Sequence, residues 1–182
     1  SSIGSHEMNT SVEITNLNND HNSANNSLNN QFNANADYEI KGANGSSIIK
    51  MNGGEDARDV ARSFNLVTGS TGVSASVVTR AKIVSVSSGD HFTFNLQGKD
   101  KNASIVNATL SDQNNLTALK DSINSVSTNT GIIANLTNDN SSIMLTQNEG
   151  YNIIIGDLTT VTANMVVDAV EKDTTGNLVD QN

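Results

Sequence analysis

The chain has 182 residues, room for one domain or two small ones, and carries 10 Lys plus Arg against 19 Asp plus Glu, a net charge of −9. An acidic chain without a Lys/Arg cluster is a poor partner for nucleic acid or an anionic membrane. There is no Cys for a disulfide framework or a thiolate metal site, and no apolar run approaches the ~20 residues of a membrane-spanning helix.

Residues 1–8, "SSIGSHEM", lack the charged start and apolar stretch of a signal peptide and read as a cloning remnant, set aside from the fold. Residues 9–37 form an Asn-rich extended segment. Only Val12 and Ile14 alternate there as a strand would. The rest favours turns and local side-chain bonds over ladders.

From residue 38 the pattern sharpens. "DYEIK" and "SSIIKM" flank the turn residues "GANG" and predict a hairpin. Ala57, Val60, Ala61, Phe64 and Val67 then share one face of a helix. Glu55, Asp56 and Asp59 fall in its first turns, where carboxylates suit the positive end of the helix dipole. Gly69 and Gly72 follow its end, where a chain leaving a helix often needs positive φ. "VSASVV" and "AKIVSVS" alternate and are expected to pair back across a tight turn at Thr79 and Arg80.

The next stretch repeats this order. "HFTFNLQ" and "ASIVNATL" flank "GKDKN" as a second hairpin. Leu116, Leu119, Ile123 and Val126 are spaced for a helix, with Ser111 or Asp112 as its N-cap and Gly131 at its close. "IIANLT" and "SIMLT" form a hairpin across "NDNS", and "YNIII" adds a strand. An offset of 59 carries Val60 to Leu119, Phe64 to Ile123, Val67 to Val126, Gly72 to Gly131, Val73 to Ile132, Ala75 to Ala134 and Val77 to Leu136. Residue class is kept at each pair, which marks an internal repeat.

The expected fold is therefore α+β and β-rich: two tandem β-β-α-β-β modules, residues 38–88 and 89–160, each a short helix packed on a small antiparallel sheet. Residues 161–182 read as a C-terminal strand or return segment.

Chemistry is sparse. His6, His21 and His91 are scattered, and no HExxH, GxSxG or Walker-type loop occurs. The two Gly of "NGGEDARD" could hold an anion at a helix start, but three acidic residues within five positions would repel it. "DQNN" and "NDNSS" lack the Gly and closing Glu of a calcium loop and read as Asn/Asp turns. Without a nucleophile–base pair, a carboxylate pair or a metal set, the expectation is no enzyme, no cofactor and no metal. One modification motif stands out. "DKNAS" places Asp100 two before Asn102 and Ser104 two after, the extended bacterial N-glycosylation pattern, in an expected exposed loop. Plain Asn-x-Ser/Thr triplets at Asn44, Asn107, Asn115, Asn135 and Asn140 are expected by chance in so Asn-rich a chain.

The helix, Thr-Gly and strand of the second repeat resemble the flagellin hook IN motif. Ile123, Asn124, Thr130, Gly131 and Ile132 stand at its "INxxxxxxTGV" positions, with Met144, Leu145 and Thr146 at its "LxLT". The first repeat is a looser match: Phe64, Asn65, Thr71, Gly72 and Val73 fit, and "KIVSVS" replaces the last strand. The resemblance spans residues 38 to 156 in two copies.

It implies a structural, surface-exposed outer domain of a bacterial flagellin filament subunit, extracellular and open to O-linked as well as N-linked sugars. The alternative it implies is a domain of a hook-associated junction or cap protein; a host- or carbohydrate-binding adhesin module built on the same β-rich unit is a third reading. Its partners would be other filament subunits, joined through long terminal helices. No segment here keeps an unbroken helical period over about 25 residues. The chain therefore reads either as an excised central domain, which the "GSHEM" start favours, or as a chain that shares the module alone, and in both cases as a monomer by itself.

Overall fold

A computed structural model of the chain describes residues 7–8, 12–14, 36–51, 57–86, 91–159, 165–172, 175 and 177–181. The Asn-rich stretch from 15 to 35, with His21 and Phe32, lies outside the described residues, as do His6, Glu55 and Asp56. The structure is α+β and β-rich, with small sheets and short helices.

The strands in chain order are β1 (Glu7–Met8), β2 (Val12–Ile14), β3 (Ala36–Gly42), β4 (Gly45–Met51), β5 (Ser76–Val77), β6 (Thr79–Val86), β7 (His91–Gln97), β8 (Ser104–Thr109), β9 (Ile132–Leu136), β10 (Ile143–Gln147), β11 (Ile153–Thr159), β12 (Met165–Lys172) and β13 (Leu178–Gln181). The helices are α1 (Ala57–Leu66), α2 (Thr68–Thr71), α3 (Thr117–Ser125) and α4 (Ser127–Thr130).

Two sheets hold the second repeat. One runs β13-β12-β6-β10-β9 and the other β2-β11-β7-β8. Period-two alternation sends one face of each strand inward. Ala81, Ile83, Ala134, Ile143, Leu145 and Val167 from the first sheet meet Phe94, Leu96, Val106, Ala108, Ile153 and Ile155 from the second in one core. α3 packs against β8 and β9, the end strands of the two sheets. Leu119 and Ile123 of α3, both 0% exposed, close the core on that side.

The first repeat is smaller. β3 and β4 pair in full register from Ala36↔Met51 to Gly42↔Gly45. α1 lies on β4 and β5. Ile49, Met51 and Val60 are its buried core, with Tyr38, Ile40, Phe64 and Val67 half-buried around them.

The expected turn at Thr79 and Arg80 does not form. β6 runs straight through both residues and pairs with β10 on one side and β12 on the other. The sequence carries the reason. Burial alternates without a break from Val77 through Ile83, and no Gly, Asn or Asp interrupts it to supply the dihedrals of a two-residue hairpin. Thr79 is instead 1% exposed, with its hydroxyl donating to Tyr151 O at 2.7 Å.

The ends of the chain also enter sheets. Val12–Ile14 runs parallel to β11, and the backbone of Glu7–Met8, inside the stretch set aside as a cloning remnant, runs parallel to β5. Residues 165–172 and 178–181 form an antiparallel pair that continues the five-stranded sheet. The N-cap expected at Ser111 or Asp112 is corrected too. α3 starts at Thr117. Asp112 instead closes its own turn, its carboxylate accepting from Asn114 N at 2.9 Å. Leu116, 0% exposed, must enter the core before the helix can begin.

Candidate functional site

Each repeat contains the same helix–Thr-Gly–strand element, built from equivalent atoms. α1 is followed by a one-residue kink at Val67 and then α2, and α3 by a kink at Val126 and then α4. The kink residues have φ −105°, ψ 10° and φ −103°, ψ 9°. Each kink donates its N–H three residues back, Val67 to Phe64 O at 3.1 Å and Val126 to Ile123 O at 3.2 Å. This tighter step re-aims the last helical turn.

The Thr that ends each short helix works on both sides of the chain. Thr71 Oγ1 donates to Val67 O at 2.8 Å and accepts from Val73 N at 3.1 Å. Thr130 Oγ1 does the same with Val126 O and Ile132 N, both at 3.1 Å. The Gly that follows takes the left-handed conformation, φ 74° at Gly72 and φ 66° at Gly131. Its N–H closes the helix onto Thr68 O and Ser127 O, the capping role that Gly suits because it lacks a Cβ.

The Asn of each element then ties helix to strand. Asn65 Nδ2 donates to Ala75 O and its Oδ1 accepts from Ala75 N, both at 2.9 Å. Asn124 makes the same pair with Ala134, at 2.9 and 2.8 Å. A carboxamide offers one donor and one acceptor with the spacing of a peptide group. It therefore answers both backbone groups of one residue, as a neighbouring strand would.

The hairpin of each repeat docks on the same helix end. Helix C-termini leave carbonyls without intrahelical partners. Thr71 O accepts from Asn44 N at 3.1 Å, and Thr130 O accepts from Lys99 N at 2.8 Å. A Cβ on Gly42 would run into Thr71 O, and one on Gly98 into Thr130 O. Close backbone approach thus fixes a Gly at the start of each hairpin turn. The resemblance pointed to the Asn, Thr and Gly of the element, but not to Gly42 and Gly98. Their signal was present as a Gly directly after the first strand in "KGANG" and "QGKDK".

The repeats meet around residues 149–151. Arg58 of α1 lies over the Tyr151 ring, 3.7 Å from its centroid, and its Nε donates to Glu149 O at 3.1 Å. Glu149 also pairs with Lys99 at 3.1 Å. Gln147 is 0% exposed, and its Oε1 accepts from Glu149 N and Tyr151 N at 2.8 and 3.0 Å, shaping the turn into β11. None of this was legible as a motif.

The remaining candidates are placed as follows. Asn102 is exposed in the β7–β8 loop, and its N–H donates to the Asp100 carboxylate at 3.2 Å. That loop is anchored by Asp100 N, which donates to Asn129 O at 3.1 Å. His91 opens β7, exposed, with Nδ1 3.1 Å from Thr109 Oγ1. Among the described residues no three His, Cys, Asp or Glu converge on one point. "NDNSS" is a turn around Asp139, whose carboxylate accepts from the hydroxyls of Ser141 and Thr137, each at 2.6 Å. Those bonds, with the Ser141 N–H, hold its pKa down at about 2. No described helix is long and apolar enough to cross a membrane.

No curated protein matches the chain. The family model of the flagellin hook IN motif matches residues 39–89 and again residues 91–149, the two stretches that carry the duplicated element. Together the matches cover more than half of the sequence, and the chain belongs to the flagellin hook IN motif family, whose members are structural proteins of the bacterial flagellum.

Proposed function

We propose that the chain is the surface-exposed outer domain of a flagellin filament subunit, held outside the cell and contributing shape and hydrated surface rather than catalysis. One observation carries this reading. The large apolar side chains left exposed among the described residues, Ile48, Leu66, Ile105, Ile133 and Leu178, sit on five different elements. One such side chain on each of five elements supports a hydrated surface rather than the large contiguous apolar patch that a permanent partner requires. With the net charge of −9, such a surface favours solvent over neighbours. Assembly with other subunits would then fall to other segments of the filament protein.

Among the aromatic side chains whose placement is described, Tyr38, Phe64, Phe94 and Tyr151, none supports a carbohydrate-binding platform. Phe94 is buried, Tyr151 lies under Arg58, and Tyr38 and Phe64 pack on the first core. Asn102 remains our candidate for N-linked modification, in an exposed loop with Asp100 before it and Ser104 after it. Mass spectrometry of the chain purified from its native cells should find a glycan on Asn102, and none on an Asn102→Gln variant.

Antibodies against this chain, applied to intact flagella and viewed by electron microscopy, test the placement. Decoration along the whole filament is expected. Label confined to the hook junction or the tip would identify a hook-associated protein instead. No label on intact flagella would refute an outer position.

A further inference from the structure

We propose that Asn44 is a site of spontaneous covalent modification, converted through a cyclic imide with Gly45 to aspartate and isoaspartate, and that the change undocks the first hairpin from its helix. Asn–Gly pairs react in this way because Gly has no side chain to shield its N–H from the neighbouring carboxamide. The pair occurs at 44–45 and 52–53, and the first lies among the described residues. Asn44 and Gly45 are exposed where β3 turns into β4. The carboxamides of Asn65 and Asn124 are each held by one donated and one accepted bond. That of Asn44 has no hydrogen-bond partner among the described residues. The fold also keeps the reactive neighbour in place. Gly45 has φ 143°, and a Cβ there would lie 3.0 Å from Ser70 O, so position 45 calls for Gly.

The Gly45 nitrogen, deprotonated by base, bonds to Asn44 Cγ, and the Cγ–Nδ2 bond breaks with release of ammonia. Water then opens the imide. Attack at Cγ gives aspartate. Attack at the backbone carbonyl gives isoaspartate, whose main chain runs on through Cβ and Cγ and is longer by one atom. Both products carry a new carboxylate. It arises where the hairpin meets the helix end. Asn44 N donates to Thr71 O at 3.1 Å, and the Asn44 carboxamide packs 3.2 Å from where a Cβ on Gly72 would stand. Carbonyls at a helix C-terminus repel negative charge. The longer chain also breaks the closing Gly42↔Gly45 register, on which the close approach of Gly42 to Thr71 O depends. The second repeat places Lys99 at the equivalent dock on Thr130 O, where this chemistry cannot occur.

The test is ageing of the full chain in mildly alkaline buffer, followed by trypsin and mass spectrometry. Cleavage at Lys41 and Lys50 releases residues 42–50 as one peptide, apart from Asn52. That peptide should gain the mass difference between an amide and an acid, and become a substrate for isoaspartyl methyltransferase. Amide exchange in 36–51 and 71–73 should rise severalfold as conversion proceeds and stay unchanged in 91–149. Aged Asn44→Gln should keep its protection, because the longer side chain closes the corresponding ring far more slowly. If Asn44→Gln does not fold, Asn44→Lys takes its place, with the residue that the second repeat carries at this dock. An unmodified 42–50 in the folded chain, after a synthetic peptide of the same residues has fully converted, would overturn the proposal. So would conversion that leaves exchange unchanged, or exchange that rises equally in the aged variant.

Discussion

The two repeats share one hydrogen-bonding device and differ in what lies beneath it. Kink angles agree within 2°, the left-handed Gly within 8° in φ, and the Asn bonds within 0.1 Å. Under the second device lies a core fed by two sheets; under the first lie three buried residues, Ile49, Met51 and Val60. Local geometry is therefore set by the element itself. Hydrogen bonds contribute about 1 kcal/mol each after exchange with water, whereas burial of apolar area supplies most of the driving force. The first repeat should open alone, and the second only with the whole fold.

The largest effect should come from the equivalent pair Ile123 and Phe64. Ile123 is 0% exposed, so Ile123→Ala should cost ~2–4 kcal/mol in global urea unfolding. Phe64 is half-buried on the small core, and Phe64→Ala should leave the global midpoint nearly unchanged while raising amide exchange in 36–77. Equal losses in urea would show that the two cores melt as one.

A second pair compares the left-handed glycines. Replacing either by Ala should cost ~1–2 kcal/mol for backbone conformation alone. Gly131→Ala should cost more, because its Cβ would meet the buried Gln147 Nε2 at 2.8 Å. At Gly72 the nearest atoms are 3.2 Å away, on the exposed Asn44. Calorimetry of both variants checks the order, and a larger loss at Gly72 would reverse it.

The junction offers a smaller effect. Arg58→Ala removes the contact with Tyr151, worth ~0.5–1 kcal/mol for a partly exposed cation on a ring. The loss should appear in the exchange of first-repeat amides and leave β7–β10 protected. Protection lost in both repeats would mean that the junction is part of the main core.

The smallest effect concerns Asp139, which has no counterpart in the first repeat. Its folded pKa lies at about 2, below the ordinary 3.8, first because of the Ser141 hydroxyl and then the Thr137 hydroxyl. A lowered carboxylate pKa adds stability that is complete above 3.8 and is lost as pH falls through about 2. Carboxylate NMR should place the midpoint near 2, and Asp139→Asn should flatten stability between those limits. A midpoint at the ordinary value would show that the turn is open in solution.

Much of the architecture was readable because turn chemistry and periodicity agreed. "GANG" and "GKDKN" mark hairpins that form, and Leu119, Ile123 and Val126 lie on the packed face of their helix region. β6 was misjudged because two strand-like segments in sequence look the same as one long strand unless a turn residue separates them. The helix start at Thr117 was missed because a buried Leu116 outweighed the capping preference of Asp112. The functional residues of the element were legible only through resemblance. Asn65 and Asn124 sit on helices whose propensities disfavour Asn, and that mismatch is the one local sign that their side chains are engaged elsewhere.

The path of β6 also limits how genes of this kind can be rearranged. Residues 79–86 follow the first helix element in the chain, yet they form the middle of the sheet that contains β9, β10 and β12. A crossover that exchanged the first repeat for a foreign one would bring a foreign central strand into the second. It would have to match Ile143, Leu145 and Val167 on its neighbours. Surface change by recombination should therefore enter through the hairpin tips, at 43–44, 99–103 and 137–141, and strand 79–86 should pass through such exchanges uncut.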